Sequence, residues 1–236
     1  MPRFKLISFD LDDTLWHTAP VIEAAEATLH THLQQHCPKL IDRFSPLELR
    51  EHRLAYLADN PHLEDYVSQW RLESMTMSLQ LAGYSKQESE RLAEQAFAVF
   101  YRARQAVKPF VDAEHTLAEL ARDYTLVSLT NGNADVTAMP FGQHFHFSLR
   151  AEQIGARKPK PEMFERALEW AKCKPADALH IGDHPEDDIS GAKALGMSTL
   201  QARLPERARP LAAQADGQFS HWREVIPLIR QLESAN

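Results

Sequence analysis

An apolar run that ends in three closely spaced aspartates is the feature that most constrains this chain. The run FKLISF at positions 4–9 predicts a buried parallel strand, and it is followed at once by Asp10, Asp12 and Asp13. In open α/β sheets, ligands bind at the carboxyl ends of the strands. Carboxylates this close repel one another unless a cation neutralises them, and oxygen ligands favour magnesium. A helix N-cap is the simpler alternative, but it explains one or two of these aspartates and not all three.

Size and charge narrow the class of protein further. With 236 residues, the chain is long enough for one core and an added subdomain. A net charge of -7 argues against broad binding to nucleic acid or anionic membranes. We find no leader-like or membrane-spanning apolar stretch, so we expect a soluble, cytoplasmic protein with no membrane partner. Cys37 and Cys173 have no zinc-site spacing and are expected to be free thiols.

The pattern of helix and strand signals changes twice along the chain, which predicts two structural parts. Residues 19–105 contain only amphipathic helical patterns, with capping boxes that start at Ser45 and Ser85 and an apolar series from Leu63 to Leu81. Before and after them, strand and helix patterns alternate. Strands are expected at 4–9, 125–130, 146–149, 178–181 and 198–201, with helices at 112–122, 161–172, 189–195 and 222–232.

This alternation predicts an α/β fold with a doubly wound, mostly parallel sheet. Its catalytic core would comprise residues 1–18 and 106–236. Residues 19–105 would form an all-helical bundle inserted between the first two strands.

Three more polar clusters fall at strand ends or helix starts. Thr130 and Asn131 follow the second predicted strand and offer a hydroxyl, an amide and main-chain N–H groups for phosphate oxygens, although Asn-Gly is also an ordinary turn. Lys158 precedes a helix N-terminus, where anions are favoured, although a solvated basic turn is the simpler reading. Asp183 and Asp188 follow the fourth strand and add carboxylates that need a cation.

These motifs, in this order, resemble those of the haloacid-dehalogenase superfamily of phosphohydrolases. The resemblance rests on DxDxT at Asp10, a strand-end Thr130, Lys158 and GDxxxxD from Gly182, and it implies that fold over essentially the whole chain. It implies that Asp10 is a nucleophile that forms an aspartyl-phosphate, and that Asp12 protonates the leaving alcohol and then activates water. Lys158 would pair with Asp10 and the phosphate.

The same resemblance implies a magnesium site and a phosphate site. Asp10, the main-chain carbonyl of Asp12, and Asp183 would hold Mg²⁺, and Asp188 would order the outer shell. Thr130 and the amide of Asn131 would grip the phosphoryl group. Dehalogenases of the superfamily lack an aspartate two residues after the nucleophile, so the aspartate at position 12 favours phosphate-ester hydrolysis.

The inserted bundle resembles the cap of this superfamily, and Trp70 and Arg71 are candidate substrate contacts in it. Trp70 lies on an apolar stripe typical of bundle core, and Arg71 would be either solvated or directed at a cleft. The segments FDLDDTLWHTAPVI, QWR, TNGN and HIGD resemble bacterial phosphatases that act on flavin mononucleotide (FMN) and 5-amino-6-(5-phospho-D-ribitylamino)uracil.

The function expected from these resemblances is magnesium-dependent hydrolysis of a small phosphate ester by a monomer or homodimer. The alternative within the enzymes is a phosphoglycolate or general sugar-phosphate phosphatase. A non-enzymatic phospho-acceptor domain is the alternative outside them, because such domains also cluster aspartates, a threonine and a lysine on a parallel sheet. Such a domain has no need of a helical insertion of this size.

Overall fold

The computed structural model describes residues 3–205 and 209–234, which divide into two compact units. The sheet unit contains the residues up to Thr18 together with those from Val107 onward. The helical unit contains Ala19–Ala106. In the sequence, the helical unit therefore separates the first strand from the second.

The helical unit is built from five α-helices. They are α1 Thr18–His36, α2 Pro38–Arg43, α3 Pro46–Asp59, α4 Val67–Leu81 and α5 Lys86–Arg104. Both predicted capping boxes form, at Ser45 before α3 and at Ser85 before α5. The core combines one apolar face of α1 with one of α5, and its central members are Ala25, Leu29, Leu33, Leu92, Ala96 and Phe100.

The apolar series predicted from Leu63 to Leu81 is wrong at both ends. Leu63 lies in a separate 3₁₀ turn, Pro61–Asp65, and Leu81 is 46% exposed, whereas Leu79 is fully buried. Ser74, which belongs to the predicted series, is buried, and so is Ser78, which the series omitted; both are small enough to lie in the helix interface. The two hydroxyls are satisfied locally, because Ser78 Oγ donates to the carbonyl of Ser74 at 3.0 Å and Ser74 Oγ donates to that of Arg71 at 3.1 Å.

Within the described part of the sheet unit, six parallel strands form one sheet in the order β3-β2-β1-β4-β5-β6. They are β1 Leu6–Phe9, β2 Thr125–Thr130, β3 Phe147–Arg150, β4 Ala178–Gly182, β5 Ser198–Ala202 and β6 Gly217–Phe219. The predicted doubly wound, parallel architecture is confirmed. The short β6 was not predicted, because its three residues, GQF, carry no strand pattern. β1 lies between β2 and β4, so the ends of these three strands meet at one edge.

Among the residues described for the sheet unit, five α-helices flank the strands. They are α6 Ala113–Leu120, α7 Ala151–Ile154, α8 Glu162–Ala171, α9 Gly191–Ala194 and α10 Val225–Ser234. Phe164 and Leu168 of α8 pack in one cluster with Leu6 of β1, whereas Trp222, just before α10, stacks on Phe9 with ring centroids 6.2 Å apart. Successive strand residues point to opposite faces, so both faces of the sheet are covered.

The remaining differences from the sequence prediction are local. The helix expected at 189–195 is split into a π-helical turn, Pro185–Ser190, and α9. The last helix begins at Val225, after a 3₁₀ turn at Trp222–Glu224. Cys37 and Cys173 are free thiols, as expected. Within the described residues, every helix is too short or too polar to cross a lipid bilayer.

Candidate active site

The carboxyl edge of β1 positions the first candidate residue. The strand pairing continues one residue beyond β1, because the Asp10 N–H donates to the Ile181 carbonyl of β4 at 2.9 Å. Side chains alternate along a strand, so Asp10 lies on the same face as Ser8 and Leu6. That is the face covered by α8. The side chain of Asp10 is therefore buried at the edge of the sheet on the α8 side.

Lys158 enters this face from the loop that leads into α8 and joins two carboxylates. Its Nζ donates to Asp10 Oδ1 at 2.8 Å and to Asp188 Oδ1 at 2.6 Å, and its side chain is only 1% exposed. Thr14 Oγ1 donates to the other oxygen of Asp10 at 3.1 Å. The ammonium group is thus a buried counter-charge shared between Asp10 and Asp188.

The side chain of Asn131 holds the main chain of Lys158. Its Oδ1 accepts the Lys158 N–H at 2.8 Å, and its Nδ2 donates to the Lys158 carbonyl at 2.9 Å. The same Nδ2 is 3.3 Å from Asp187 Oδ2. Since these bonds occupy the side-chain amide, the main-chain N–H is the group that Asn131 retains for the predicted phosphate contact.

Thr130 is buried at the end of β2, beside the end of β1. Its hydroxyl oxygen accepts the Gly132 N–H at 3.0 Å. This bond folds the loop back toward the strand end and leaves the hydroxyl proton to donate elsewhere. The structure thus places Thr130 at the strand edge where the sequence predicted it.

Asp188 reaches the site from the π-helical turn after β4. A Cβ atom on Gly182 would lie 2.3 Å from the Asp188 carboxyl group, so only glycine allows this approach. The main-chain N–H of His184 donates to Asp188 Oδ2 at 2.8 Å, and His180 Nε2 lies 3.3 Å from Oδ1. Wide π-type turns recur at functional sites, where they redirect single side chains.

Asp183, at the end of β4, is held by an arginine that the sequence prediction missed. Arg209 Nε donates to Asp183 Oδ2 at 2.6 Å. Gln201 Nε2 donates to the Asp183 carbonyl at 3.1 Å. No local pattern marks Arg209, because it lies in the loop after β5, 26 residues from its partner.

The carboxylate of Asp12 is oriented by two donors from the segment that follows it. Asp12 Oδ1 accepts from Trp16 Nε1 at 3.1 Å and from Thr18 Oγ1 at 2.9 Å. Asp13 has a left-handed backbone, with φ of 61°, and its Oδ1 accepts the Thr18 N–H at 2.9 Å. Asp13 therefore stabilises the turn, and Asp12 presents a fixed carboxylate next to the strand edge.

Burial and charge shift the pKa values of the clustered groups in opposite directions. Burial raises the pKa of Asp10 well above its ordinary value, although Lys158 opposes the rise. Burial and the charge of Asp188 raise the pKa of Asp183 to about 6. Burial alone would raise the pKa of Asp188, but Lys158 and His180 hold it well below its ordinary value. Burial would lower the pKa of Lys158, but the carboxylates of Asp10 and Asp188 raise it.

Three of these carboxylates form a group suited to a hard cation. One oxygen each from Asp10, Asp183 and Asp188 lies within 4.8 Å of the others, and all three residues are buried. An oxygen-only donor set fits Mg²⁺. Burial first, and then the charges of the neighbouring carboxylates, raises the pKa values of Asp10 and Asp183, and a divalent cation would stabilise their ionised forms. The side chain of Asp12 is outside this group, and a metal contact through its main-chain carbonyl stays a prediction.

His180 is a second residue that the sequence prediction passed over. It is fully buried in β4, with Nδ1 2.8 Å from Ser8 Oγ and Nε2 facing Asp188. Burial lowers its pKa and favours the neutral imidazole. Its signal in the sequence is a histidine inside the otherwise apolar strand ALHIG. Such a histidine needs polar neighbours.

The two candidate cap contacts lie in α4 of the helical unit. The Trp70 indole N–H donates to the Arg53 carbonyl at 2.7 Å, and Trp70 is half-buried; its contact with substrate stays a prediction. The Arg71 side chain is 14% exposed and pairs with Glu26 at 2.9 Å, so the first of its two predicted alternatives, a solvated side chain, is wrong. Burial of α4 against its neighbours sequesters this arginine, although it lies off the predicted apolar stripe.

Comparisons with known proteins agree with this fold. A family model described as haloacid dehalogenase-like hydrolase matches residues 4–196. The 5-amino-6-(5-phospho-D-ribitylamino)uracil phosphatase YigB of Escherichia coli is 33% identical over 201 residues, which cover 85% of this chain and 84% of that protein. A glyceraldehyde 3-phosphate phosphatase of Methanopyrus kandleri is 26% identical over 248 aligned positions, which cover 97% and 98%. Among solved structures, a 2-haloacid dehalogenase from Pseudomonas syringae pv. Tomato has a TM-score of 0.90 at 37% identity, and the match covers 97% of this chain and 99% of that one.

Proposed function

The chain belongs to the haloacid dehalogenase-like hydrolase family, and we propose that within it the protein is a magnesium-dependent phosphomonoesterase. The observation that carries this proposal is the buried Asp10–Lys158–Asp188 arrangement at the edge of the sheet, with Asp12 two residues after Asp10. The names of the phosphatase relatives from E. coli and M. kandleri support the same reaction class.

In the proposed first step, a carboxylate oxygen of Asp10 attacks phosphorus and the bond to the leaving alcohol breaks. Asp12 donates its proton to the leaving oxygen, and the phosphoryl group remains on Asp10. In the second step, Asp12 takes a proton from water, the water oxygen attacks phosphorus, and inorganic phosphate leaves. Trp16 and Thr18 fix the Asp12 carboxylate, which suits a group that passes one proton in each direction.

The residues around Asp10 have proposed supporting roles in this reaction. Lys158 opposes the rise that burial causes in the pKa of Asp10, and it would lessen the repulsion between the carboxylate and a phosphate dianion. Thr130 and the main-chain N–H of Asn131 would bind phosphoryl oxygens. Asp10 and Asp183, with Asp188 beside them and the Asp12 carbonyl, would hold Mg²⁺, which supplies further positive charge toward the phosphate.

Magnesium affinity is expected to fall as the pH falls through about 6. The pKa of Asp183 is raised to about 6, and a carboxylate must lose its proton before it binds a metal. Each pH unit below 6 should therefore raise the magnesium Kd by about tenfold or more, because Asp10 also has a raised pKa. Titration calorimetry at pH 5.0, 6.0 and 7.5 measures this effect. Equal affinity at all three values would contradict a site built on Asp183.

In the metal-free protein, the stability of the fold changes with pH in the opposite direction to the magnesium affinity. A raised carboxyl pKa means that the folded protein retains a proton that the unfolded chain loses between about pH 4 and pH 6. The contribution of Asp183 to stability therefore decreases as the pH rises through this window. Bound magnesium would offset that loss, so its stabilising effect should be larger at pH 7.5 than at pH 5.0.

For the substrate, we propose FMN or 5-amino-6-(5-phospho-D-ribitylamino)uracil. The 33% identity with the E. coli phosphatase that is named for the second compound supports this choice. The M. kandleri relative supports a second candidate, a small sugar phosphate such as glyceraldehyde 3-phosphate. We further propose that the helical unit acts as a cap that contributes to the choice of substrate.

Halide release is a distinct candidate, because the similar P. syringae structure bears the name of a 2-haloacid dehalogenase. Departure of halide needs no proton donor, whereas departure of an alcohol does. In a dehalogenase, Asp12 would not be needed as a proton donor. We therefore favour the phosphatase.

One experiment separates these candidates. Phosphate release is measured with FMN, 5-amino-6-(5-phospho-D-ribitylamino)uracil, glyceraldehyde 3-phosphate and phosphoglycolate, and chloride release with 2-chloropropionate. We expect magnesium-dependent phosphate release, with the highest kcat/KM for one of the first two compounds. A higher kcat/KM for either of the other phosphates would overturn the substrate proposal alone. Chloride release without phosphate release, or activity that survives chelation, would overturn the proposed function.

A further inference from the structure

The helical unit contains a cavity of its own, with a volume of about 620 Å³. All of its lining residues belong to α1, α3, α4, α5 or the chain beside them, and it reaches the surface at Glu23, Leu47 and Arg50. Cavities of this size are typical of small-molecule sites. A bundle whose helices served only to pack against one another would fill such a space with side chains.

One wall of the cavity is apolar and aromatic. Its members come from three different helices and include Ile22, Leu29, Leu33, Met75, Phe97 and Phe100. Contact with this wall would favour a ligand with a large apolar surface.

The cavity is also lined by charged residues, which form a cluster of arginines around one carboxylate. Arg53 NH2 and Arg71 NH1 both lie against the same oxygen of Glu26, at 3.0 and 2.9 Å. Two guanidinium charges thus share one carboxylate, and both arginine side chains are less than one-fifth exposed. Burial, together with the charge of Arg53, lowers the pKa of Arg71 to about 10, even though Glu26 opposes the shift. The cluster therefore has a place for a second negative charge.

The geometry of Arg71 selects for a flat partner. Its guanidinium carbon lies over the Phe100 ring, 3.7 Å from the ring centroid, which is a cation–π contact. Arg71 also lines the cavity, where a second planar group can stack on it or bond to its edge.

From these observations, we propose that the cavity of the helical unit binds a planar aromatic anion, with its ring on the apolar wall and its negative oxygen at Arg53 and Arg71. This site goes beyond the proposed function, because ring binding in the helical unit does not require phosphate hydrolysis. We propose a negatively charged ligand because Arg53 and Arg71 share the single carboxylate of Glu26. The guanidinium over the Phe100 ring and the apolar wall account for the flat ring.

The test uses two carboxylates that share a carbon skeleton and a charge. The planar probe is 2-naphthoate, and the saturated, non-planar control is decahydro-2-naphthoate. Binding is measured by calorimetry in the full chain that carries Asp10→Asn, so that turnover plays no part. We expect saturable binding of 2-naphthoate that is about tenfold or more tighter than that of the control. Absence of saturable binding, or equal binding of both probes, would overturn the proposal.

Two substitutions with opposite expected effects locate the site. Arg71→Met removes the charge but keeps an extended side chain, and it should weaken 2-naphthoate binding by about tenfold or more. Glu26→Gln removes the competing carboxylate and should tighten binding by about threefold. A misfolded variant would not gain affinity, so Glu26→Gln decides the matter even if Arg71→Met fails to fold. Arg91→Met, on an exposed position of α5, is the control and should leave binding unchanged. Equal affinity in the Glu26→Gln variant and its Asp10→Asn parent would overturn the assignment to this cavity.

Discussion

Replacement of Asp10 by asparagine is expected to abolish phosphate release, with kcat reduced by at least about 10³-fold. Asparagine has almost the same shape as aspartate, but its amide cannot form the acyl phosphate on which the proposed reaction depends. The fold should survive, because burial already raises the pKa of Asp10 and a neutral side chain relieves the crowding of charge with Asp183 and Asp188. The measurements are steady-state release of inorganic phosphate and thermal unfolding of the same preparation.

A matched control separates the loss of the nucleophile from a general loss of charge. Asp123→Asn makes the same chemical change at an exposed position of the sheet unit and should retain full activity. The Asp10→Asn variant should also fail to take up ³²P from a labelled substrate, whereas the wild type should show transient label on the protein. Turnover within tenfold of wild type in Asp10→Asn would rule out the proposed nucleophile.

The sequence predicts best those residues of the candidate site that directly follow a strand. Asp10, Thr130 and Asp183 each follow a run of buried strand residues, and parallel strands place such positions at one edge. Lys158 was recognised by motif and by its place before a helix. The structure brings its Nζ between two carboxylates.

Residues that act on the site from distant segments could not be predicted in this way. Arg209 reaches Asp183 from a loop whose sequence has no periodic pattern, so its partner is set by the tertiary fold alone. The phosphate contact of Asn131 stays a prediction for its main-chain N–H, but the hold of its side chain on the main chain of Lys158 was not predicted. Such a contact depends on how two loops meet, and loop conformation is the least visible property of a sequence.

In the helical unit, helix starts were more predictable than helix faces. The capping boxes at Ser45 and Ser85 are local, and both form as expected. The series predicted for α4 included Ser74, which is buried, but it omitted Ser78 and continued to Leu81, which is exposed. A helix in close contact with two others can bury serines such as Ser74 and Ser78, which satisfy their own hydroxyls, and leave Leu81 exposed.

Replacement of Lys158 by methionine should have the largest effect on stability. Its ammonium group is almost completely buried between Asp10 and Asp188, and removal leaves two buried carboxylates without their shared counter-charge. Loss of one partner from a buried ion pair costs about 3–5 kcal/mol. The free energy of unfolding, measured with urea at pH 8 without magnesium, should fall by about that amount. Activity should be lost as well, because nothing would offset the repulsion between Asp10 and a phosphate dianion.

Three comparisons test whether loss of the ammonium charge causes the loss of stability in Lys158→Met. Lys5→Met removes an exposed lysine that pairs with Asp177 on the surface, and it should cost less than about 1 kcal/mol. Addition of Asp188→Asn to Lys158→Met should recover part of the lost stability, because it removes one of the two stranded carboxylates. The Lys158→Met variant should also lose less stability at pH 5 than at pH 8, since a proton can then replace the missing ammonium charge. A loss that is the same at both pH values, and unchanged by Asp188→Asn, would show that Lys158 stabilises the fold by packing alone.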